Sequence, residues 1–355
     1  MNNLSSSPLS ILGMTTKELR AIASAEGAEA FRGNQMAEWL YHRGVHSFNE
    51  MANLPEMLRN KLEAGYTIGR SRCIKTQRAS DQTVKLLLET TDGGRLESVG
   101  LPYKSFYSCC VSTQIGCPIH CAFCATGQSG FKRDCTAGEI IDQVLSINET
   151  ALVKQSNQVG NSIKTDHVTF MGMGEPLLNY DQTIKALRLL IGEMDISARH
   201  LTVSTIGHVT NIRRLAREGI PVTLAISLHA PNDDLRHELI PSFTRWTINE
   251  IIESGQDYVS RTGRRLTIEY CLLEGVNDHK VEAQQLAQLL RGINCHVNLI
   301  PFNPVEGLPF KTSSPQRVVV FKDTLIKLGI QVTERARRGV DIDAACGQLR
   351  GRSEN

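Results

Sequence analysis

The sequence lacks three features that would assign its location or its partner at once. None of its apolar runs approaches the roughly 20 residues that a helix needs to cross a bilayer. The first residues, MNNLSSSPLSILG, have neither the basic flank nor the long apolar stretch of a signal peptide. The formal net charge is only +2, so composition alone does not indicate a nucleic-acid-binding protein. We therefore expect a cytoplasmic protein without a membrane partner, in which any site for an acidic ligand is a local patch.

Cysteine, by contrast, is abundant and unevenly distributed. Of the ten cysteines, one group crowds a short segment and the others are scattered: Cys109, Cys110, Cys117, Cys121, Cys124 and Cys135, against Cys73, Cys271, Cys295 and Cys346. Disulfides are not expected in a chain of this length without a signal peptide, so metal binding or catalysis is the better interpretation. Cys271 and Cys295 lie in predicted strands, where we expect core or near-core positions, and Cys73 and Cys135 suggest no role.

The pattern changes three times along the chain. Residues 15 to about 65 have apolar residues at helical spacing. TVKLLLET and RLESVGL follow, separated by Asp92-Gly93-Gly94, which is typical of a β-hairpin. We predict an N-terminal helical accessory domain at 1–72, a β-hairpin linker at 73–109, a core at 110–330 and a C-terminal segment at 331–355.

Within the predicted core, apolar β-branched segments alternate with amphipathic ones. The strand candidates are CVSTQIG, HVTFMGM, HLTVSTI, VTLAISL, RLTIEYCLL and HVNLIPF. The helix candidates are EIIDQVLSINE, YDQTIKALRLLIGEM, NIRRLAREG, INEIIESGQDYVS and VEAQQLAQLLRG, the first preceded by the capping-box pair Thr136 and Glu139. This alternation predicts an α/β fold with a parallel sheet, as an open sheet or an incomplete barrel, and chemistry in the loops after the strands. The polar segment 153–166 is predicted to be a surface loop.

The spacing Cys117-x-x-x-Cys121-x-x-Cys124 is the strongest chemical signal. Three closely spaced thiolates can hold three irons of a [4Fe–4S] cluster and leave the fourth iron free for a ligand. A zinc site closed by His120 is the alternative that spacing alone leaves open.

Polar and glycine residues end the later strands. In MGMGEP, Gly172 and Gly174 permit close approach of the backbone to a ligand, and Glu175 can accept hydrogen bonds from an ammonium group. Ser204 ends another strand candidate, and Ser227, Leu228 and His229 follow in SLHAPND. Each is weak evidence alone, but together they line one rim of the predicted sheet.

These motifs resemble, in order, those of the RlmN/Cfr family of radical S-adenosylmethionine (SAM) RNA methyltransferases. The match runs from about residue 80 to 350 through CVSTQIGCPIHCAFC, GMGEPLLN, SLHAPND, IEYCLLEGVND, NLIPFNP and DIDAACGQL. It implies a radical SAM partial (β/α)6 TIM-like barrel with an N-terminal helical accessory domain and a short β-hairpin linker. It also implies a [4Fe–4S] cluster on Cys117, Cys121 and Cys124, and SAM contacts from Gly174, Glu175, Ser204, Ser227, Leu228, His229 and Asn303.

The resemblance further implies a reaction through a methylated cysteine. Cys346 corresponds to the methyl carrier, Cys110 to the resolving cysteine that forms a transient disulfide with it, and Glu97 to the proton acceptor. The implied substrates are an adenosine in the peptidyl-transferase region of 23S rRNA and adenosine 37 of tRNA, methylated at C2. An electron donor such as flavodoxin and a monomeric state complete these expectations.

Alternatives of different kinds remain at this stage. A Cfr-type enzyme would methylate C8 of the same rRNA adenosine, although the proline in GEPLLN favours the RlmN type. A zinc-bound RNA-binding factor without catalytic activity, or a radical SAM enzyme acting on a protein or a small molecule, would not use Cys346, Cys110 and Glu97 together. The helical N-terminal module and the C-terminal arginines are the candidate RNA surfaces: Arg335, Arg337, Arg338, Arg350 and Arg352.

Overall fold

The structure, a computed structural model, describes residues 8–152 and 164–351. Its first part is helical, as the apolar spacing predicts, with helices α1 (Thr16–Ala25), α2 (Arg32–Ala37) and α3 (Glu56–Gly65). Helix α1 begins after Thr15 because Thr15 and Glu18 cap each other's backbone amides, at 2.6 and 3.3 Å. Two short strands, β1 (Leu9–Ser10) and β2 (Tyr66–Thr67), pair in parallel and bring the two ends of this unit together.

A ten-stranded sheet forms the centre of the molecule. Its strands are β3 (Arg72–Arg78), β4 (Val84–Glu89), β5 (Arg95–Pro102), β6 (Tyr107–Cys110), β9 (His167–Phe170), β10 (Leu201–Thr205), β11 (Thr223–Ser227), β12 (Leu266–Leu272), β13 (Cys295–Pro301) and β14 (Val332–Glu334). The spatial order is 14-13-12-11-10-9-6-5-4-3, with β3 to β6 antiparallel and the remainder parallel. Because β3 and β14 are the two edges, the sheet does not close within the described residues.

Helices cover the parallel strands. They are α4 (Ala125–Gln128), α5 (Ala137–Leu152), α6 (Tyr180–Gly192), α7 (Val209–Leu215), α8 (Asp233–Leu239), α9 (Ile248–Thr262), α10 (Lys280–Leu289) and α11 (Pro315–Lys327). One continuous hydrophobic core joins α5, α6, α7, α9, α10 and α11 to the sheet and the N-terminal helices, and a second, smaller cluster contains α4 and α8. The N-terminal unit also contacts the sheet's helices through polar groups: the Glu193 carboxylate, just after α6, accepts hydrogen bonds from the backbone and hydroxyl of Thr16 at 2.9 and 2.6 Å.

The predicted α/β architecture, the hairpin and the Thr136–Glu139 capping pair are confirmed. One strand prediction is wrong: CVSTQIG is not one strand, because β6 ends at Cys110. The chain then enters a separate two-stranded sheet of β7 (Gln114–Gly116) and β8 (Phe131–Asp134). The elements α8, α11 and β14 were not predicted. Most of the predicted surface loop, at 153–163, lies outside the described residues.

The hairpin is part of the central sheet, since β5 pairs with β6 from Val99–Cys110 to Pro102–Tyr107. Glu97 therefore lies on a strand directly beside the one that ends at Cys110. Among the described helices, none is both long enough and apolar enough to cross a bilayer.

Candidate active site

A cavity of about 1530 Å³, open solvent at its mouth included, lies at the C-terminal ends of the parallel strands. The last residues of four strands line it: Cys110, Phe170, Ser227 and Pro301. Loops after the strands and the C-terminal segment complete the wall. This is the edge of the sheet at which α/β folds place their ligands.

Cys117, Cys121 and Cys124 lie on one wall of this cavity, in the loop between β7 and α4. Backbone hydrogen bonds hold the loop in place, from Cys117 N to the Gly130 carbonyl at 3.0 Å and from Cys124 N to the Cys121 carbonyl at 3.2 Å. Their thiols are free and each residue is partly exposed. Burial, reinforced by the neighbouring thiols, raises the pKa of Cys117 to about 12 and raises that of Cys121 well above its ordinary value.

The chemistry of this donor set fits a [4Fe–4S] cluster, which thiolates on a cavity wall can hold while one iron faces the cavity. His120 does not line the cavity with the three thiols. Its backbone is left-handed, with φ of 51°, and its Nδ1–H donates to the Gly127 carbonyl at 2.8 Å. The geometry therefore does not provide the fourth ligand that the zinc alternative requires. The described His, Cys, Asp and Glu residues include no group of three placed for a single metal ion.

Arg236, which the sequence analysis did not single out, is a buried cation behind the cysteine loop. It is 1% exposed, and it donates to the Ile206 carbonyl while its Nε has no partner among the described atoms. Burial lowers its pKa to about 10, while the charges of Cys121, Asp233 and Glu175 oppose that shift. An arginine in a helix-forming stretch gives no sequence signal of such a role.

The loop after β9 places Glu175 on the cavity wall. Gly174 has φ of 98°, and a Cβ there would lie 2.5 Å from the Gln114 side chain, so glycine is required for this turn. The Glu175 carboxylate accepts hydrogen bonds from the amides of Leu177, at 3.0 Å, and Ile206, at 2.8 Å. Burial nevertheless raises its pKa to about 7. A cationic ligand group beside it would favour the carboxylate form.

Ser204, Ser227 and His229 also line the cavity, whereas Leu228 is buried and does not. The hydroxyls of Ser204 and Ser227 lie 3.1 Å apart on adjacent strands. His229 Nδ1 accepts from the Cys271 amide at 3.0 Å, which leaves its other ring nitrogen as the N–H donor. Burial lowers the pKa of His229 to about 3, so the ring is neutral.

Cys110 and Cys346 both line the cavity, although 236 positions separate them in the chain. Burial, together with the charge of Cys346, raises the pKa of Cys110 to about 11. Asn303 Nδ2 donates to the Cys346 carbonyl at 3.4 Å, while its buried Oδ1 has no partner among the described atoms. Asn303 thus supports the Cys346 backbone and offers a free acceptor at the cavity wall.

An ion pair between a buried and a half-buried residue lies beside the two cysteines. The side chains of Arg335 and Glu269 line the cavity with an N–O separation of 4.0 Å, and Glu269 also accepts from Asn298 Nδ2 at 2.9 Å. The pKa of Arg335 is raised, and the charge of Cys346 is the largest cause of this shift. Glu269 is the lone glutamate of the apolar segment RLTIEYCLL, and this isolated carboxylate is the sequence feature that could have indicated a functional role. Cys271, buried as predicted, also lines this cavity.

Glu97 is 4% exposed and is not among the cavity-lining residues. It shares a face of β5 with Val99 and Leu101, which do line the cavity, because alternate residues of a strand point the same way. Its Oε1 lies 3.1 Å from Lys85 Nζ, and its Oε2 accepts from the amide of Arg350 at 2.6 Å. The C-terminal segment therefore covers the Glu97 carboxylate.

The C-terminal arginines do not form one exposed cluster. Arg335 is turned into the cavity, Arg338 is half-buried over the ring of Tyr103, and Arg337 is exposed. Arg350 lies 3.8 Å from Glu306, and Arg352 is outside the described residues. Adjacent positions in an irregular segment point in different directions, which the sequence pattern did not reveal.

Comparisons with known proteins agree on both parts of the chain. Residues 9–68 match the family model of the ribosomal RNA large subunit methyltransferase N-terminal domain, and residues 111–286 match that of the radical SAM superfamily. A probable dual-specificity RNA methyltransferase RlmN of Gloeobacter violaceus is 44% identical over 97% of this chain and 95% of its own length. The corresponding protein of Thermosynechococcus vestitus is 44% identical over 96% of this chain and 98% of its own.

A solved structure gives the same result. The crystal structure of a radical SAM methyltransferase from Sphaerobacter thermophilus is similar with a TM-score of 0.92 and 41% identity. The similarity covers 97% of this chain and 100% of that chain. The likeness therefore extends over the N-terminal helices, the sheet and the C-terminal segment together.

Proposed function

Because the chain belongs to the RlmN family of radical SAM RNA methyltransferases, we propose that it methylates C2 of adenine in RNA through a methyl group carried on Cys346. The proposed substrates are the peptidyl-transferase region of 23S rRNA and adenosine 37 of tRNA, in keeping with the dual specificity in the names of its relatives. A low-potential donor such as flavodoxin would supply electrons.

One observation carries this proposal: a single cavity is lined by the Cys117–Cys121–Cys124 loop and by Cys110 and Cys346. C2 of adenine is electron-poor, so it does not attack the methyl group of SAM directly, and a radical route needs a methyl group already held by the protein. Cys346 supplies that holder at the wall of the cavity, and Cys110 supplies a second sulfur beside it.

The cysteine loop would hold the [4Fe–4S] cluster, and Glu175, Ser204, Ser227, His229 and Asn303 offer polar groups for SAM. When bound there, the cluster and SAM would supply a methyl group and a 5′-deoxyadenosyl radical. These five residues are buried or half-buried, which limits the access of water to groups bound beside them.

The residues of the chain have distinct parts in the proposed reaction. The Cys346 sulfur carries the methyl group as a thioether, and the methyl carbon, after loss of a hydrogen atom, bonds to C2 of the adenine. Glu97 would accept the C2 proton, for which the Arg350–Gly351 backbone must move away from its carboxylate. The unpaired electron left by the addition at C2 would return to the cluster. The Cys110 thiolate then attacks the Cys346 sulfur: the S–S bond forms, the S–C bond breaks with its electron pair staying on the carbon, and a proton from solvent completes the methyl group.

The test is mass spectrometry of nucleosides from RNA incubated with cluster-loaded protein, SAM and a reductant. We expect 2-methyladenosine with wild-type protein and none with Cys346→Ala. Cys295→Ala, which removes a buried thiol outside the cavity lining, is the matched control and should retain activity. Separate reactions with a 23S rRNA fragment and a tRNA anticodon stem-loop test the two substrates.

Two other products would change the proposal. 8-Methyladenosine would keep the methyl-carrier mechanism but place the protein with the Cfr type. The absence of any methylated adenosine, from protein verified to hold its cluster, would contradict the proposed substrate class.

A further inference from the structure

Five planar groups form a continuous stack on the surface beside the cavity. The guanidinium of Arg338 lies over the ring of Tyr103, 4.5 Å from its centroid. Tyr103 stacks on Phe106 at 4.3 Å, Phe106 lies against His167 at 4.2 Å, and His167 stacks on His200 at 4.0 Å. Such a series of delocalised groups is the kind of surface on which unpaired nucleobases stack.

One end of this stack lies at the mouth of the cavity. Among the lining residues, only Tyr103, Ala336 and Arg337 are exposed, and the remainder are buried or half-buried. The cavity therefore opens beside Tyr103. Arg338 is itself a lining residue, so its guanidinium borders the entrance that a base must pass to reach Cys346.

Arg338 is positioned by the fold and lies within electrostatic range of the exposed Asp81 carboxylate. Its Nη1 donates to the Pro102 carbonyl at 2.9 Å, and its buried Nε has no hydrogen-bond partner among the described atoms. Arg337 is an exposed lining residue of the cavity, the exposed Lys104 directly follows Tyr103 in the chain, and the exposed Arg199 directly precedes His200. Asp166 adjoins the stack at His167, and its carboxylate accepts from His167, at 2.9 Å, and from the Tyr107 amide, at 3.1 Å. Exposed cations are thus available beside the stack to contact RNA phosphates.

We propose that the Arg338 guanidinium, backed by Tyr103, is the platform on which a base neighbouring the target adenine stacks when an RNA loop enters the cavity. Arg337 contacts the adjoining phosphate. This inference rests on the proposed function, because it requires that the target is an unpaired adenine. A base stacked at the entrance would leave its neighbour extended into the cavity, as base-modifying enzymes require.

Charge and planarity can be separated by conservative substitutions. Arg338→Lys keeps the charge but removes the plane, and Tyr103→Leu keeps an apolar side chain but removes the ring behind Arg338. The matched control is Arg214→Lys, because Arg214 also lies over an aromatic ring, that of Tyr180 at 3.9 Å, but on the helices outside the sheet. The probe is an RNA hairpin with an adenine in its loop and 2-aminopurine on its 5′ or 3′ side.

Binding anisotropy and 2-aminopurine fluorescence are measured over a range of salt concentrations. We expect Arg338→Lys to weaken binding by about tenfold and to abolish the quenching of 2-aminopurine, with an unchanged salt slope. Tyr103→Leu should also weaken binding and abolish the quenching. Arg337→Ala should instead reduce the steepness of the salt dependence by about one, which corresponds to the loss of one phosphate contact. Arg214→Lys should bind as wild type does.

The midpoint of thermal unfolding shows whether Arg338→Lys is folded. The inference is wrong if the folded variant binds the hairpin and quenches 2-aminopurine as wild type does. Because Arg338→Lys changes no core residue, it decides the question even if Tyr103→Leu fails to fold. If wild-type protein neither binds nor methylates the hairpin, the proposed function fails. If wild type methylates it and Arg338→Lys is indistinguishable, only the platform is rejected.

Discussion

The carboxylate of Glu97 accepts a hydrogen bond from the backbone amide of Arg350, with a separation of 2.6 Å, and a second from Gly351 at 3.0 Å. Since Cys346 lies four positions before Arg350, the proposed proton acceptor also anchors the segment that carries the proposed methyl carrier. This contact links the hairpin to the C-terminal segment. It also means that Glu97 is released for chemistry only when that segment moves.

Glu97→Gln should therefore affect both anchoring and catalysis. A glutamine presents an NH₂ group where the carboxylate faces only donors, at a cost of about 1–3 kcal/mol for an unsatisfied buried group. We expect faster hydrogen exchange at the amides of 350 and 351, and about 10²–10⁴-fold slower methylation. Glu89→Gln, on the adjacent strand with Arg72 and Arg95 as partners, is the control. Unchanged exchange at 350 and 351 would contradict the anchoring role.

Cys110→Ala should trap the RNA on the protein. Without the resolving sulfur, the bond between the Cys346 sulfur and the new carbon cannot be broken by disulfide formation. A covalent protein–RNA species should appear on a denaturing gel and vanish when Cys346→Ala is added. Cys271→Ala is the matched control because Cys271 is also buried at this cavity. Free methylated RNA from Cys110→Ala at the wild-type rate would exclude the role of Cys110.

Arg335→Gln should make the Cys110 thiol harder to ionise. Burial raises the pKa of Cys110 to about 11, and the positive charge of Arg335 acts in the opposite direction. Removing that charge should move the pH midpoint of Cys110 alkylation upward, so that less thiolate is present at any given pH. Peptide mass spectrometry after iodoacetamide treatment measures the midpoint. Arg335→Lys should preserve it, and an unshifted midpoint in Arg335→Gln would refute the electrostatic link.

SAM affinity should rise as the pH increases through about 7. Burial raises the pKa of Glu175 to about 7, so its carboxylate is largely protonated below that pH and ionised above it. The ammonium group of SAM favours the ionised form, which gives tighter binding on the alkaline side. Equilibrium dialysis of cluster-loaded protein between pH 6 and 8 should show this dependence. Glu175→Gln should bind more weakly at every pH and show a flatter profile; an equally steep profile would assign the titration to another group.

Arg236→Met should have opposite effects on the unloaded and the cluster-loaded protein. A buried cation without a carboxylate partner costs desolvation energy, so an apolar side chain of similar length should stabilise the unloaded fold by about 1–4 kcal/mol. The same change removes the positive charge nearest Cys121, which should accelerate cluster loss. Thermal unfolding of the unloaded protein and the decay of cluster absorbance measure the two effects. Equal cluster lifetimes would show that the charge of Arg236 does not support the thiolates.

Local patterning was sufficient for most of the secondary structure and for the chemical type of the site. The hairpin around Asp92-Gly93-Gly94, the alternation of strands and helices, and the three-cysteine spacing each depend on residues close in the chain. Their physical causes, turn geometry and burial on one face, act over a few residues. The short strand β14 and the break after Cys110 were missed because three or four residues carry too little periodicity.

The pairing of Cys110 with Cys346 came from the resemblance to a known family, not from any local signal, and the structure places both at one cavity. Other features were decided by tertiary structure alone. The buried Glu269 and Arg236 and the half-buried Arg335 are charges whose environment is made by segments far apart in sequence, and Glu97 is covered by residues 350–351. Arg335, Arg337 and Arg338 look equivalent in sequence and all line the cavity, but Arg335 pairs with Glu269, Arg337 is exposed and Arg338 lies over Tyr103. Composition determined what chemistry was available, whereas long-range packing decided which of these groups meet and what their pKa values are.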